Sequence, residues 1–380
     1  MKIIVEGSTL YDRVTGVQRY TRCLLEAALR VDPATHLVAY HFAARHERPV
    51  PLSPPSRVRF ERLPAGMRRL YGALARRGKA TPIDRLLGET GHAFLFPNFA
   101  RHPVESSAPS VVFVYDLSFF VVPETVHEGN RRYLTRAVPE AVRGATHVVT
   151  ISEASRAEII ALLDVPPDRV SVIYPGVDLA RFRPPPPRDV ERTRAKLGLA
   201  APYFVFCGTL EPRKNLERLI DAFVLFKRRT GAPHRLVLAG GRGWCDENLR
   251  RRIEATRDQG VTTIGYVNDE DLPALYRGSH GLVFPSLYEG FGIPPLEAMA
   301  SGAPVLSSRA SSLPEVCGDA ALLVEPTDVD ALAGAMADLA ADEDLRESLR
   351  SRGHARVPRF SWGDSARRLL DLLIRLRARP

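Results

Sequence analysis

No stretch of this chain's 380 residues approaches the roughly 18 uninterrupted apolar side chains that a membrane span requires. Cysteine is scarce: Cys23, Cys207, Cys245 and Cys317 stand far apart, with no Cys-x-x-Cys pair and no histidine at ligand spacing. That pattern supports neither a disulfide framework nor a zinc site and predicts buried, reduced thiols in a cytosolic setting. A secretory leader is not legible either. Met1-Lys2-Ile3-Ile4-Val5-Glu6-Gly7 is too short and too soon charged, and reads as the first strand of the fold. No segment repeats at a fixed period. Acidic side chains are outnumbered, 44 against 53 basic ones, for a formal charge of +9. Such a balance attracts anions, whether a phosphate-rich ligand, a membrane surface or nucleic acid. Nucleic acid is the weakest of the three, because no binding motif accompanies the charge and the aromatics are not interleaved with the basic residues.

What is present is alternation. The chain is 45% hydrophobic, enough for two cores, and strand and helix signals follow one another almost throughout, which predicts parallel sheets covered by helices. Short apolar runs mark the strands of a first half: Ile3–Val5, Leu37–Tyr40, Ala93–Phe96, Val111–Val114, His147–Thr150 and Val170–Ile173. The proline run Pro184–Pro187 cannot continue a helix or donate to a sheet, and is expected to be a stiff connector. Strands resume at Tyr203–Phe206, Arg235–Ala239, Val261–Ile264, Gly281–Phe284, Pro304–Leu306 and Ala321–Val324. The expected organisation is a domain over 1–175, a linker over 176–200, a second domain over 201–358 and a closing amphipathic helix within 359–380, with Ser361 as its cap.

The most informative stretch lies between Pro285 and Ser308. Glu289 and Glu297 are separated by seven residues that include Gly290, Phe291, Gly292, Ile293 and the Pro294-Pro295 pair. Glu289 is expected on the loop leaving a strand, and Glu297 on the opening turn of the next helix. Glycines let backbone amides approach a ligand, a helix N-terminus favours phosphate, and a first-turn carboxylate can accept both hydroxyls of a ribose. Upstream, Gly208-Thr209-Leu210-Glu211-Pro212-Arg213-Lys214-Asn215 leaves a strand and opens a helix. Arg213 and Lys214 at that start can hold a diphosphate jointly with backbone donors; a solvated basic pair is the plainer reading, at a position the helix dipole slightly disfavours.

The Glu289-to-Glu297 segment resembles the paired-glutamate signature of the retaining glycosyltransferases of family 4, and the 208–215 run is similar to that family's diphosphate-binding loop. The resemblance extends over nearly the whole chain. It implies two Rossmann-like α/β domains facing across a cleft, the glycosyltransferase B-type fold, with the late helix crossing back to the first domain. It implies a nucleotide-sugar donor held by the second domain and a saccharide or polyprenyl-linked acceptor held by the first, in bacterial surface polysaccharide synthesis. Thr15-Gly16-Val17-Gln18-Arg19-Tyr20 looks like the family's glycine loop toward the donor phosphate, although Gly16 equally suits an ordinary turn. Tyr266 and Val267 match the place where the family's backbone reads the base. Glu289 and the amides of Gly290 to Ile293 would position the sugar, and Glu297 would hold the ribose. Two departures stand out: Thr209 where many members carry arginine, and Tyr115 where many carry histidine before Asp116. A phenol cannot share a proton near neutral pH as imidazole does. Asp116 either orients the acceptor or caps the following turn.

By resemblance the reaction is hexosyl transfer with retention, mannosyl or rhamnosyl, by same-face attack in which the departing phosphate accepts the acceptor proton, with GDP-mannose the favoured donor; no cofactor or metal is expected. An epimerase of the same architecture and a non-catalytic sugar-nucleotide-binding subunit are the alternatives. The Asp269-Glu270-Asp271, Asp328-Val329-Asp330 and Asp342-Glu343-Asp344 triplets are expected to cap helices rather than bind metal, and Ser152 likewise. Gly240-Gly241-Arg242-Gly243 has the wrong spacing for a dinucleotide fingerprint and reads as a tight turn. Finally, eight cations between Arg57 and Lys79 surround Met67, Leu70 and Leu74 at helical spacing. That helix either rests on an anionic bilayer, making the protein cytoplasmic and peripheral on the inner membrane face, or packs on the first sheet.

Overall fold

A computed structural model describes residues 1–11, 15–44, 47–241, 243 and 247–378. The chain forms two compact units, one of Met1–Leu117, Glu128–Gly176 and Phe360–Pro380, the other of Ser118–His127 and Val177–Arg359. Unit one is built on seven parallel strands, β1 (Lys2–Glu6), β2 (His36–Ala43), β3 (Val58–Pro64), β4 (Ala93–Phe96), β5 (Ser110–Phe113), β6 (His147–Thr150) and β7 (Val170–Val172), in the order β3-β2-β1-β4-β5-β6-β7. The central strands are continuous β-branched and aromatic runs because helices cover both faces and leave no side to solvent; Phe94, Val111, Val112 and Val148 are all fully buried. The Gly16–Val31 helix starts where the Thr15 hydroxyl accepts the Gln18 N–H at 3.2 Å, and it buries Tyr20, Leu24, Leu25 and Ala28. The last helix, Trp362–Ala378, belongs to this unit and buries Leu369, Leu370, Leu372, Leu373 and Leu376. Gly176 lets it approach: a Cβ there would lie 2.4 Å from the Trp362 backbone nitrogen.

Unit two carries six parallel strands, β8 (Tyr203–Cys207), β9 (Arg235–Ala239), β10 (Val261–Gly265), β11 (Gly281–Phe284), β12 (Val305–Ser308) and β13 (Leu322–Val324), ordered β10-β9-β8-β11-β12-β13. In each sheet the winding direction reverses once, between β1 and β4 and between β8 and β11. The space outside the carboxyl ends of strands at such a switch point is where open α/β sheets bind ligands.

Three expectations change. The proline run does not remain a connector: Pro187 opens a helix, Pro187–Lys196, because a first-turn residue needs no amide donor. Between Arg57 and Lys79 the chain first makes the edge strand β3 and only then the Met67–Arg76 helix, whose buried anchor is Tyr71 while Met67 and Leu70 are exposed. Of the three thiols among the described residues, only Cys317 is fully buried, with burial pushing its pKa up to about 12, whereas Cys23 and Cys207 are half-buried. Cys245 lies outside the described residues. Among those residues no helix is long and apolar enough to cross a membrane.

Candidate active site

At the switch point of unit two, the loop after β8 turns through a single 3-10 turn, Pro212–Lys214, and Asn215 takes a left-handed conformation (φ 60°) before the Leu216–Thr230 helix. The Asn215 amide donates to the carbonyls of Pro285, at 3.0 Å, and Pro326, at 2.6 Å, which ties this turn to the loops after β11 and β13. A backbone bond from Leu287 N–H to the Arg213 carbonyl, 2.9 Å, makes a second tie. These bonds bring the charges together. The Arg213 guanidinium donates to Glu289 Oε2 at 2.8 Å, to the Tyr288 carbonyl at 2.8 Å and to Glu211 Oε1 at 2.7 Å, while Lys214 Nζ donates to Glu289 Oε1 at 2.6 Å. The Lys214 ammonium also lies 5.1 Å from the centre of the Phe284 ring.

Glu289 and Lys214 are both buried. Burial works to raise the Glu289 pKa, but the adjacent Arg213 and Lys214 charges overcome it and hold the carboxyl at about 2. For Lys214 burial lowers the pKa, and Glu289 opposes it only in part. The result is a rigid array of two cations and two carboxylates. Motif reasoning misses Glu211; its position two residues before Arg213 is the available signal.

The loop after β11 is equally fixed. Ser311 exchanges hydrogen bonds with the Glu289 backbone, accepting from its N–H at 2.8 Å and donating to its carbonyl at 2.6 Å. The Ser312 hydroxyl reaches the Glu289 and Phe291 carbonyls at 2.8 and 2.9 Å. Gly292 (φ 108°) then reverses the chain, where a Cβ would come within 2.7 Å of Leu313. The Ile293–Ala300 helix starts there, three residues earlier than expected, because Pro294 and Pro295 fit its first turn. Two consequences correct the sequence reading. Glu297 sits in the second turn rather than the opening one, buried, with Tyr276 Oη donating to its Oε2 at 3.5 Å. The prolines also remove two first-turn donors, so amides offered to a ligand come from the 290–293 loop rather than the helix start.

The other expected site residues are scattered. Thr209 is exposed, Tyr266 is 65% exposed and Val267 is buried beyond the end of β10. Gly16 and Asp116 belong to unit one: Gly16 is exposed, with no atom of the described residues within 4 Å of where a Cβ would stand, and Asp116 is half-buried. Tyr115 is committed to that unit's core, donating to the Pro97 carbonyl at 2.8 Å with Thr21 Oγ1 at 3.3 Å, and burial raises its pKa. Ser152 caps the Glu153–Leu163 helix through the Ser155 N–H at 3.1 Å. Asp328 and Asp342 cap their helices at 2.8 Å. The third triplet departs from the expected capping: Asp269 and Asp271 pair with Arg181 at 2.5 Å and Lys196 at 2.6 Å. Gly240 and Gly241 are described, but Arg242 is outside the described residues.

Comparison with known proteins gives two adjoining matches. Residues 14–181 match the model described as Glycosyltransferase Family 4, and residues 189–356 match Glycosyl transferases group 1. The chain is 33% identical over 375 residues to the O-antigen chain mannosyltransferase B of Escherichia coli, covering 95% of this chain and 96% of that one. It is also 33% identical over 244 residues to a serotype-specific mannosyltransferase WbdA of Escherichia coli, covering 61% of this chain and 29% of that one. Among solved structures, sucrose-phosphate synthase from Thermosynechococcus elongatus superposes with a TM-score of 0.76 at 20% identity, covering 100% of both chains.

Proposed function

From the premise that this chain belongs to family 4 of the glycosyltransferases and has their B-type architecture of two Rossmann-like domains, we propose that it transfers a mannosyl group from GDP-mannose to a saccharide or lipid-linked saccharide acceptor, with retention, in surface polysaccharide synthesis. The observation that carries the reading is the Arg213–Glu289–Lys214 array at the carboxyl ends of β8 and β11. The mannosyl assignment is supported by likeness to a chain mannosyltransferase over nearly the full length.

In this mechanism Arg213 and Lys214 stabilise the negative charge that grows on the diphosphate as the glycosidic bond breaks. The Glu289 carboxylate, acting only as an acceptor because its pKa is about 2, orients sugar hydroxyls as the cations turn to phosphate. Amides of Gly290 to Ile293 complete that cradle, Thr209 lines the diphosphate approach, Gly16 approaches the same group, and Glu297 binds the ribose. The base lies against the backbone of Tyr266 and Val267, and Asp116 orients the acceptor. The leaving phosphate takes the acceptor's proton, so no protein base is required. No metal is invoked in this reading, in which the aspartate triplets serve as helix caps and ion pairs. The protein would work in the cytoplasm, touching an anionic membrane through Met67, Leu70 and the neighbouring arginines.

Proton NMR of the product made from GDP-α-mannose tests this. An α-linked product, with nucleoside diphosphate released only when acceptor is present and unaffected by chelator, is expected. An inverted product, release of diphosphate without acceptor, or a strict metal requirement would contradict it.

A further inference from the structure

Within unit one, Gly72, Ala75 and Arg76 of the Met67–Arg76 helix flank an open pocket of about 440 Å³, bounded also by the loop after β4 and the Glu128–Gly144 helix, with Arg76, Arg136 and Glu140 exposed at its rim. Small side chains, Gly72, Ala75, Ala100, Ala137 and Ala141, make the room. Three arginines point the chemistry one way: Arg76, Arg101 and Arg136 all line it, with Glu140 the single acidic lining residue. Arg136 reaches Glu140 at 3.4 Å, but no acidic side chain of the described residues forms an ion pair with Arg76 or Arg101. Arg101 donates through Nε to Ser110 Oγ at 3.2 Å, and burial draws its pKa down. A partly buried guanidinium without a carboxylate is costly unless an anion completes it.

The cavity is also built rather than incidental. His102 in its wall accepts or donates a 2.8 Å hydrogen bond with the Tyr40 hydroxyl and is enclosed by the rings of Tyr40, Phe42, Tyr71 and Phe96, with centroids 5.3 to 6.1 Å away. Burial lowers its pKa, so a neutral imidazole is held in place. Tyr133, 55% exposed, stands at the rim as an aromatic surface. The loop that carries Arg101 and His102 follows β4, and the bond from Arg101 to Ser110 sets its guanidinium against the start of β5.

We infer that this cavity is an anion site that takes the phosphate or diphosphate group of a lipid-borne ligand, through Arg101, Arg76 and Arg136. Arginine forks match phosphate oxygens in pairs, whereas the neutral His102 adds a hydrogen bond without a charge. The inference deepens the proposed function by giving the acceptor a phosphate, and it rests on that reading only for the ligand's role in transfer. The same chemistry could be supplied by an acceptor or by a bilayer headgroup.

Calorimetry on the full chain distinguishes these. Farnesyl diphosphate is titrated with farnesol as the uncharged control, alongside sedimentation with phosphatidylglycerol and phosphatidylcholine vesicles. Farnesyl diphosphate should bind, farnesol should not, and Arg101→Gln and Arg136→Gln should each weaken binding about tenfold or more, from loss of a charged hydrogen bond. Arg101→Lys should recover part of the loss, and Ala137→Trp should block the site while leaving the circular dichroism unchanged. Arg101-dependent binding to phosphatidylglycerol vesicles without binding of farnesyl diphosphate would support the site and assign it to headgroups. Absence of both, equal binding by wild type and the arginine variants, or a loss confined to Arg213→Gln would overturn it. GDP-mannose titrated into the same samples separates this outcome from failure of the donor reading.

Discussion

Glu289 is the residue on which the electrostatics of unit two turn. Its carboxylate is buried against Arg213 at 2.8 Å and Lys214 at 2.6 Å, a geometry in which removing one partner leaves charge without compensation. Glu289→Gln is therefore expected to destabilise unit two by about 3 kcal/mol, measured by urea unfolding at pH 7. The pH dependence has a definite sign. The folded pKa of about 2 lies below the ordinary 4.5, so this contribution is complete above 4.5 and is lost as pH falls from 4.5 toward 2. In the glutamine variant the part of the acid-induced loss belonging to this group should vanish; an unchanged acid limb would show that the array carries no stability. Sequence alone places Arg213, Lys214 and Glu289 in one neighbourhood through their separate motifs. It does not show that the cations hold the carboxylate, because the contact spans more than seventy residues and depends on Asn215 reaching Pro285.

At the scale of elements, the loops after β8 and β9 meet at two glycines. A Cβ on Gly240 (φ 149°) would lie 1.9 Å from the Gly208 carbonyl oxygen, whereas one on Gly241 would meet no atom of the described residues within 4 Å. Gly240→Ala is expected to cost about 3 kcal/mol and, by moving the loop that carries Arg213, to weaken donor binding as well. Gly241→Ala should do neither, and thermal unfolding with nucleotide titration checks the pair. Most strands are readable as short apolar runs because they are buried on both faces. The exception is β3, an edge strand with no fully buried residue, in which Val58-Arg59-Phe60-Glu61 alternates but Arg62-Leu63 breaks the period. Its arginines read first as a block of charge, which masks the period of two. The Ile293–Ala300 helix reads as starting late for the opposite reason: a proline pair looks like punctuation before a helix, whereas both residues fit within its first turn.

For the whole molecule, the net charge of +9 has structural addresses in each unit. In unit two the cations of the β8 loop are balanced by Glu211 and Glu289, so a diphosphate must compete with protein carboxylates for them. In unit one Arg76 and Arg101 have no such carboxylates among the described residues and remain available to an anion. The two-domain character is legible from alternating strand and helix signals, whereas the proline run falls inside unit two, which resumes at Val177. The cavity in unit one is not, since its small residues and arginines come from three segments between Gly72 and Ala141 that only the sheet order brings together. The most direct test of the central claim is calorimetric titration of GDP-mannose into wild type, Arg213→Gln and Lys214→Met. A saturable 1:1 association that weakens about tenfold or more in both variants is predicted. No association with GDP, UDP, ADP or dTDP sugars at any salt concentration, or equal affinity in all three proteins, would contradict it.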